Sequence, residues 1–227
     1  MSTSTPMRTR IKFCGFVRSE DVDVAVALGV DAIGFVFHPR SPRHVTPAQA
    51  AALRRRLPSW VSAVGLFVNA GADVLRATVA EAGLDVIQFH GDETPEDCAL
   101  ATAIGRPFWR AVRMRGPGDL LESIDRFGAA EAMLLDAFSD GYGGSGRQFD
   151  WSWIPERRSR PLILAGGLGP DTVAQAIARV RPAAVDVSSG IQGADPRTKD
   201  PARMEAFVAA VVAADAEHCA ARSAPHR

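Results

Sequence analysis

Apolar positions along the chain fall into short unbroken runs, which alternate with longer stretches where Ala, Leu and Val recur at helical spacing. The runs predict strands over Ile11–Cys14, Ala32–Phe37, Ser62–Val68, Val86–His90, Phe108–Val112, Ala132–Asp136, Leu162–Ala165 and Ala184–Val187. Between them the spacing predicts helices over Asp21–Leu28, Pro47–Leu57, Ala72–Ala82, Pro95–Ile104, Gly118–Phe127, Asp171–Ala178 and Pro201–Val212, with a short piece around Asp150–Ile154 in sixth place. Several of these segments open on Asp, Thr or Pro, residues suited to a helix start. The strands recur roughly every 25 residues, long enough for each strand to return parallel to the last through a helix. Eight such units in about 220 residues fit a single closed (β/α)8 barrel of the TIM type, in the α/β class, better than an open doubly wound sheet. The open sheet would place a GxGxxG turn after its first strand, and Lys12-Phe13-Cys14-Gly15 has none.

No stretch rich in Pro, Gly and Ser divides the units, so residues 11–213 read as one domain. Residues 1–10 carry no apolar pattern, and residues 214–227 lose theirs before ending in Ser223-Ala224-Pro225-His226-Arg227. Both segments are expected to be flexible extensions.

Composition narrows the function. The 227 residues hold 26 Lys and Arg against 26 Asp and Glu, with 47% hydrophobic content, a balance that argues against nucleic acid or an acidic membrane as partner. A small-molecule ligand is the expectation. Cys14, Cys98 and Cys219 are widely spaced without a CxxC pair, which speaks against a disulfide framework or a zinc site. No HxH or HExxH pattern occurs among the five histidines, so no metal is expected. With no apolar leader and no run of about 18 apolar residues, the chain reads as cytoplasmic. Oligomeric state is not encoded in such patterns, and a monomer is the default.

In a barrel of this kind the loops at the carboxyl ends of the strands build the site. Cys14 closes strand 1 before Gly15, and Asp136 closes strand 6 after Met133-Leu134-Leu135. A buried cysteine is most often a small apolar side chain, and Asp often only caps a loop, but a strand-end position gives both a reactive placement. Asp136, partly buried, can hold a proton near neutrality. Period-2 alternation places Lys12 with Cys14, Gln88 with His90, and Asp186 with Ser188 on single strand faces. If these faces point inward, Lys12, Arg110 and Asp186 are expected to neutralise one another, and Lys12 to favour the Cys14 thiolate. Cys98, inside a helix, and Cys219, in the tail, are read as structural.

Glycine-rich turns follow strands 6, 7 and 8: Gly143-Gly144-Ser145-Gly146, Ala165-Gly166-Gly167-Leu168-Gly169 and Ser188-Ser189-Gly190. One such turn is weak evidence, but three on consecutive strands point to backbone N–H groups gathered around a phosphate. After strand 2, Arg43 stands between Pro42 and the next helix, a candidate for gripping a substrate carboxylate through a bidentate contact.

These segments, with Gly34-Phe35-Val36-Phe37, Val64-Gly65-Leu66-Phe67-Val68-Asn69, Gln88-Phe89-His90-Gly91, Tyr142, Phe149-Asp150-Trp151 and Lys199-Asp200, resemble the phosphoribosylanthranilate isomerase family of tryptophan biosynthesis over about Ile11 to Val212. Phe13 departs from the Ile more usual there. The resemblance implies an Amadori rearrangement of N-(5-phosphoribosyl)anthranilate without a cofactor, Asp136 acting as general acid and Cys14 as base. It further implies that Arg43 holds the anthranilate carboxylate, and that Gly144, Ser145, Gly146, Gly166, Gly167, Ser189 and Gly190 bind the phosphate. Lys12, Gln88, His90 and Asp186 would support the site. Two alternatives stand beside this. A related histidine-pathway phosphosugar isomerase would carry an aspartate at the end of strand 1, where this chain has Cys14. A non-catalytic phosphosugar-binding barrel would have little use for a thiol and a carboxyl at one mouth.

Overall fold

The computed structural model describes residues 8–138 and 148–223. Eight parallel strands, β1 (Arg10–Cys14), β2 (Ala32–Val36), β3 (Ser62–Phe67), β4 (Val86–Phe89), β5 (Phe108–Met114), β6 (Ala132–Ala137), β7 (Leu162–Leu164) and β8 (Ala184–Val187), close into a barrel in sequence order. The closing pair sets Arg10 against Ala184 and Lys12 against Asp186. Outside lie α1 (Ser19–Ala27), α2 (Pro47–Arg54), α3 (Ala72–Ala82), α4 (Pro95–Ile104), α5 (Asp119–Arg126), α6 (Pro170–Val180) and α7 (Pro201–Ser223). The sixth crossover carries only a 3-10 turn at Trp151–Trp153, and a second such turn, Ser189–Ile191, follows β8.

Strands buried on both faces explain the continuous apolar runs, and alternation splits the interior into two cores. Residues of one parity, Ala32, Val64, Val86, Ala111, Ala132, Leu134, Ile163 and Ala165, fill the barrel with small side chains, closed off by the partly buried Trp109. Residues of the other parity, among them Ile11, Phe13, Ile33, Phe35, Ile87 and Phe89, meet the helices in a much larger cluster. Phe13 packs edge-on to Phe207 of α7 at 5.8 Å between centroids and stacks on Phe16 at 6.5 Å. An aromatic ring at position 13 therefore fills helix-side volume and stays clear of the barrel mouth.

Local chemistry starts the helices where the sequence places them. Thr46 and Gln49 exchange side-chain and backbone hydrogen bonds at 3.2 and 2.9 Å, and Thr94 with Asp97 do the same at 3.2 and 2.9 Å, each pair ahead of a proline that opens the helix. α2 ends at Arg54, short of the Leu57 expected, because the chain turns there ahead of Pro58 while Leu57 stays buried.

One expectation at the ends needs correction. The segment from 214 is a continuation of α7 as far as Ser223, with Ala214 buried. Asp215 accepts hydrogen bonds from Thr9 N and Thr9 Oγ1 at 2.6 and 2.7 Å, so the last helix is tied to the residue preceding β1. Loss of clear apolar periodicity there reflects a helix that touches the barrel along a narrow stripe.

Candidate active site

Parallel strands put all eight carboxyl ends on one rim, and β1, β4, β6 and β8 bring polar residues to its inner face. Cys14 follows Lys12 on the inward parity of β1; Asp136 follows Ala132 and Leu134 on that of β6. The thiol carrier is 5% exposed and Lys12 only 2%. Lys12 Nζ donates to Asp186 Oδ1 at 2.9 Å. Room for the thiol comes from β2, where Gly34 is paired with Cys14. A methyl group at Gly34 would stand 2.6 Å from Cys14 Sγ.

Charge around Cys14 is less favourable to thiolate than the sequence suggests. Burial pushes the thiol up, Asp186 adds to that, and the pull of Lys12 and Lys199 does not cancel them. For Lys12 burial opposes the charge, yet Asp186 and Cys14 together raise its ammonium above the ordinary value.

Arg110 does not join this cluster. It has the outward parity of β5, opposite to Trp109 and Ala111, and donates to Glu93 Oε2 at 2.8 Å and to Gly91 O at 2.9 Å beneath the ring of Phe127. Glu93 also accepts from Asn69 N and Gly91 N at 2.8 and 2.9 Å, so this buried ion pair fixes the loops after β3 and β4. Those loops set the end of β4, where Gln88 Nε2 and His90 Nδ1 lie 3.0 Å apart and His90 Nε2 approaches Asp136 Oδ2 to 3.2 Å. Asp136 Oδ1 accepts from Ala137 N at 2.9 Å. If Gln88 donates to Nδ1, the imidazole carries its proton on the nitrogen that faces Asp136.

Arg43 reaches the rim from the loop after β2. It is half-buried, its guanidinium bonds Gln192 Oε1, and its Nε has no partner among the described residues. Among the described residues no carboxylate pairs with it, and burial lowers its pKa. Such a cation favours an incoming anion.

Gly166, Gly167, Ser189 and Gly190 lie on the loops after β7 and β8, whose backbones touch: a methyl group at Gly190 would stand 2.0 Å from Leu168 O. Gly167, Ser189 and Gly190 border a cavity of about 540 Å³ that also meets the first turn of α6 and Arg203 of α7. Gly144, Ser145 and Gly146, with Tyr142, lie outside the described residues. Among the described residues no group of three or more His, Cys, Asp or Glu could hold a metal ion, and no helix is long and apolar enough to cross a membrane.

Sequence reasoning missed Glu93 and Gln192, and quoted Lys199 only within a resembling segment, without a role. Lys199, 4% exposed, donates through Nζ to Cys14 O at 2.7 Å and Ser188 O at 3.1 Å.

The (β/α)8 fold, with a thiol, a carboxyl and a half-buried arginine at one rim, fits an enzyme that works on a small anionic substrate. Comparison with known proteins narrows this. The family model described as N-(5'phosphoribosyl)anthranilate (PRA) isomerase matches residues 11–210. N-(5'-phosphoribosyl)anthranilate isomerase of Ralstonia nicotianae is 54% identical over 219 residues, covering 92% of this chain and 95% of that protein. The phosphoribosyl anthranilate isomerase structure from Thermotoga maritima superposes with a TM-score of 0.83 at 38% identity, covering 90% and 99% of the two chains. A further structure of such an isomerase, in complex with reduced 1-(o-carboxyphenylamino)-1-deoxyribulose 5-phosphate, gives 0.80 at 35% identity over 90% and 99%. The chain belongs to the N-(5'-phosphoribosyl)anthranilate isomerase family.

Proposed function

We propose that the chain converts N-(5-phospho-β-D-ribosyl)anthranilate to 1-(2-carboxyphenylamino)-1-deoxy-D-ribulose 5-phosphate in tryptophan biosynthesis, with Asp136 as general acid and Cys14 as general base. Asp136 gives its proton to the ribose ring oxygen while the anthranilate nitrogen pushes its lone pair toward C1′. The C1′–O bond breaks and an iminium forms. Cys14, as thiolate, takes the proton from C2′, which the iminium has made acidic, and the resulting enolamine tautomerises to the C2′ ketone. The positive iminium beside Cys14 lowers the cost of a buried thiolate at the moment the base is needed, offsetting the burial that pushes the thiol up.

The observation that carries this reading is the shared inward rim of Cys14 and Asp136, with a half-buried Arg43 uncompensated by any carboxylate among the described residues. Arg43 would hold the anthranilate carboxylate. Backbone groups of Gly166, Gly167, Ser189 and Gly190, with Gly144, Ser145 and Gly146, would hold the phosphate. Held at both ends, the sugar is fixed between acid and base. His90, oriented by Gln88, would aim Asp136, and the Lys12–Asp186 pair would steady the thiol. That substrate class agrees with the ligand in the solved complex of the relative. The proposal includes a monomer working on soluble metabolites in the cytoplasm.

The test follows the disappearance of anthranilate-ribosyl fluorescence. Cys14→Ala and Asp136→Asn are each expected to lower kcat by about 10²–10⁴ with KM nearly unchanged. A folded variant that keeps most of its turnover would remove that residue's role.

A further inference from the structure

Lys199 is a buried charge with no part in the proposed chemistry. It sits at the end of a loop closed by the Gln192–Lys199 bridge and by Gly193 N donating to Thr198 O at 3.0 Å, just ahead of the Asp200 cap of α7. Asp21 Oδ2 of α1 accepts from Lys199 N at 3.0 Å and fixes the backbone. The side chain then runs beneath the rim. Its ammonium lies 5.4 Å over the Phe16 ring, donates to Cys14 O and Ser188 O, and stands 3.5 Å from Ser188 Oγ. Ser188 Oγ itself donates to Cys14 O at 3.0 Å. Among the described residues no carboxylate lies within ion-pair distance of Nζ, so a buried cation rests on neutral groups: two carbonyls, a hydroxyl and an aromatic face. A carbonyl clamp needs only a neutral donor, such as the Ser188 hydroxyl already present. The extra feature here is positive charge, held directly under the residue that must become an anion and beside the loop expected to hold a dianion.

We propose that Lys199 is a positioning residue: it fastens the end of β1 to the loop after β8 and supplies the charge that makes the Cys14 thiolate attainable, so that base and phosphate grip are set by one side chain. The proposal rests on the reading of Cys14 as the base. Groups facing the thiol and the ammonium are Lys12 on β1, Asp186 on β8, Arg43 after β2 and Asp21 on α1. Burial, with Arg43, lowers the Lys199 amine to about 8 against the opposing pull of Cys14, Asp186 and Asp21. Its charge is therefore present below that pH and weakens above it.

The deciding measurement is the pH dependence of Cys14 alkylation by iodoacetamide, quantified by peptide mass spectrometry in the full chain, beside kcat and KM. Lys199→Gln keeps a donor for the carbonyls and removes the charge; at pH 7, where the parental amine is charged, the rate of Cys14 alkylation and kcat are each expected to fall about ten-fold, with KM changed less, and the difference in alkylation should close as pH rises past 8. Lys199→Arg keeps the charge at every pH, and its alkylation rate is expected at or above that of the parent. A folded Lys199→Gln protein with the parental alkylation rate at pH 7 and the parental kcat would overturn the proposal. Should that variant fail to fold, a Lys199→Arg alkylation rate about ten-fold below the parent's would overturn it instead. Alkylation needs no turnover, so an active Cys14→Ala enzyme would defeat the catalytic reading while leaving the charge coupling separately measured.

Discussion

A buried ion pair is judged by what its removal leaves behind. Lys12 and Asp186 meet at 2.9 Å inside the barrel, and removing either partner strands the other charge in a nearly dry interior. Lys12→Met and Asp186→Leu should each cost about 3–5 kcal/mol in urea unfolding, while the double variant should cost less than either single one. Additive losses would show that the two charges do not depend on each other. Cys98 gives a second test at this scale. Burial raises its thiol from 9.0 to about 12, so the folded chain holds this proton more tightly than the unfolded chain does. Its contribution is complete below pH 9 and is lost as pH rises from there toward 12. Relative to Cys98→Ala, the parent should lose stability above pH 9 with a slope of up to about 1.4 kcal/mol per pH unit. A stability difference flat across that range would show that Cys98 ionises freely in the fold.

Elements act here through the residues at which they touch. β2 approaches the thiol so closely that a methyl group at Gly34 would overlap Cys14 Sγ, and the loops after β7 and β8 meet at Gly190 with no space for one. Gly34→Ala should displace the base and lower kcat by about ten-fold or more with little effect on KM, whereas Gly190→Ala should part the two loops and act mainly on KM. Equal effects on both constants in both variants would mean that the loops do not divide their work in this way. Strands were legible because burial on both faces writes them as continuous apolar runs; β5 outran its expected end only where Arg113 interrupts that run before Met114. Candidate site residues were legible where a reactive side chain stands at or next to a strand end: Cys14 closes β1, and Asp136 is the last residue but one of β6. Arg110 was misassigned because its charge, and not its parity, guided the reading: it lies one residue out of phase with Trp109 and Ala111. Glu93 was hidden, and Lys199 was quoted without a role, because a loop lysine or glutamate is by default solvated and only tertiary packing drives these two inside.

A closed barrel makes the chain's two ends neighbours, and its stability depends on how they are joined. β1 pairs with β8 through Arg10, Ile11, Lys12 and Phe13, and α7 covers the seam with Phe207 against Phe13. Asp215 then binds Thr9 twice, at 2.6 and 2.7 Å, across a separation of 206 residues. Thr9 is buried, so losing the carboxylate would leave its N–H and hydroxyl without a partner in a poorly solvated place. Ending the chain after Ala213 removes Asp215 and the buried Ala214 together, and should lower stability by about 2–4 kcal/mol. Ending it after Ala220 keeps both and should leave the unfolding midpoint close to that of the full chain. Asp215→Asn separates the charge from the helix: it retains an acceptor and should lose less than the shorter truncation. Because the Lys12–Asp186 pair lies in the same β1–β8 seam, loosening the ends should also expose Cys14, so the truncation after Ala213 is expected to alkylate faster at that thiol before it unfolds. Unchanged melting and unchanged Cys14 reactivity in that truncation would mean that β1–β8 pairing alone closes the barrel and that the end of α7 is an accessory to it.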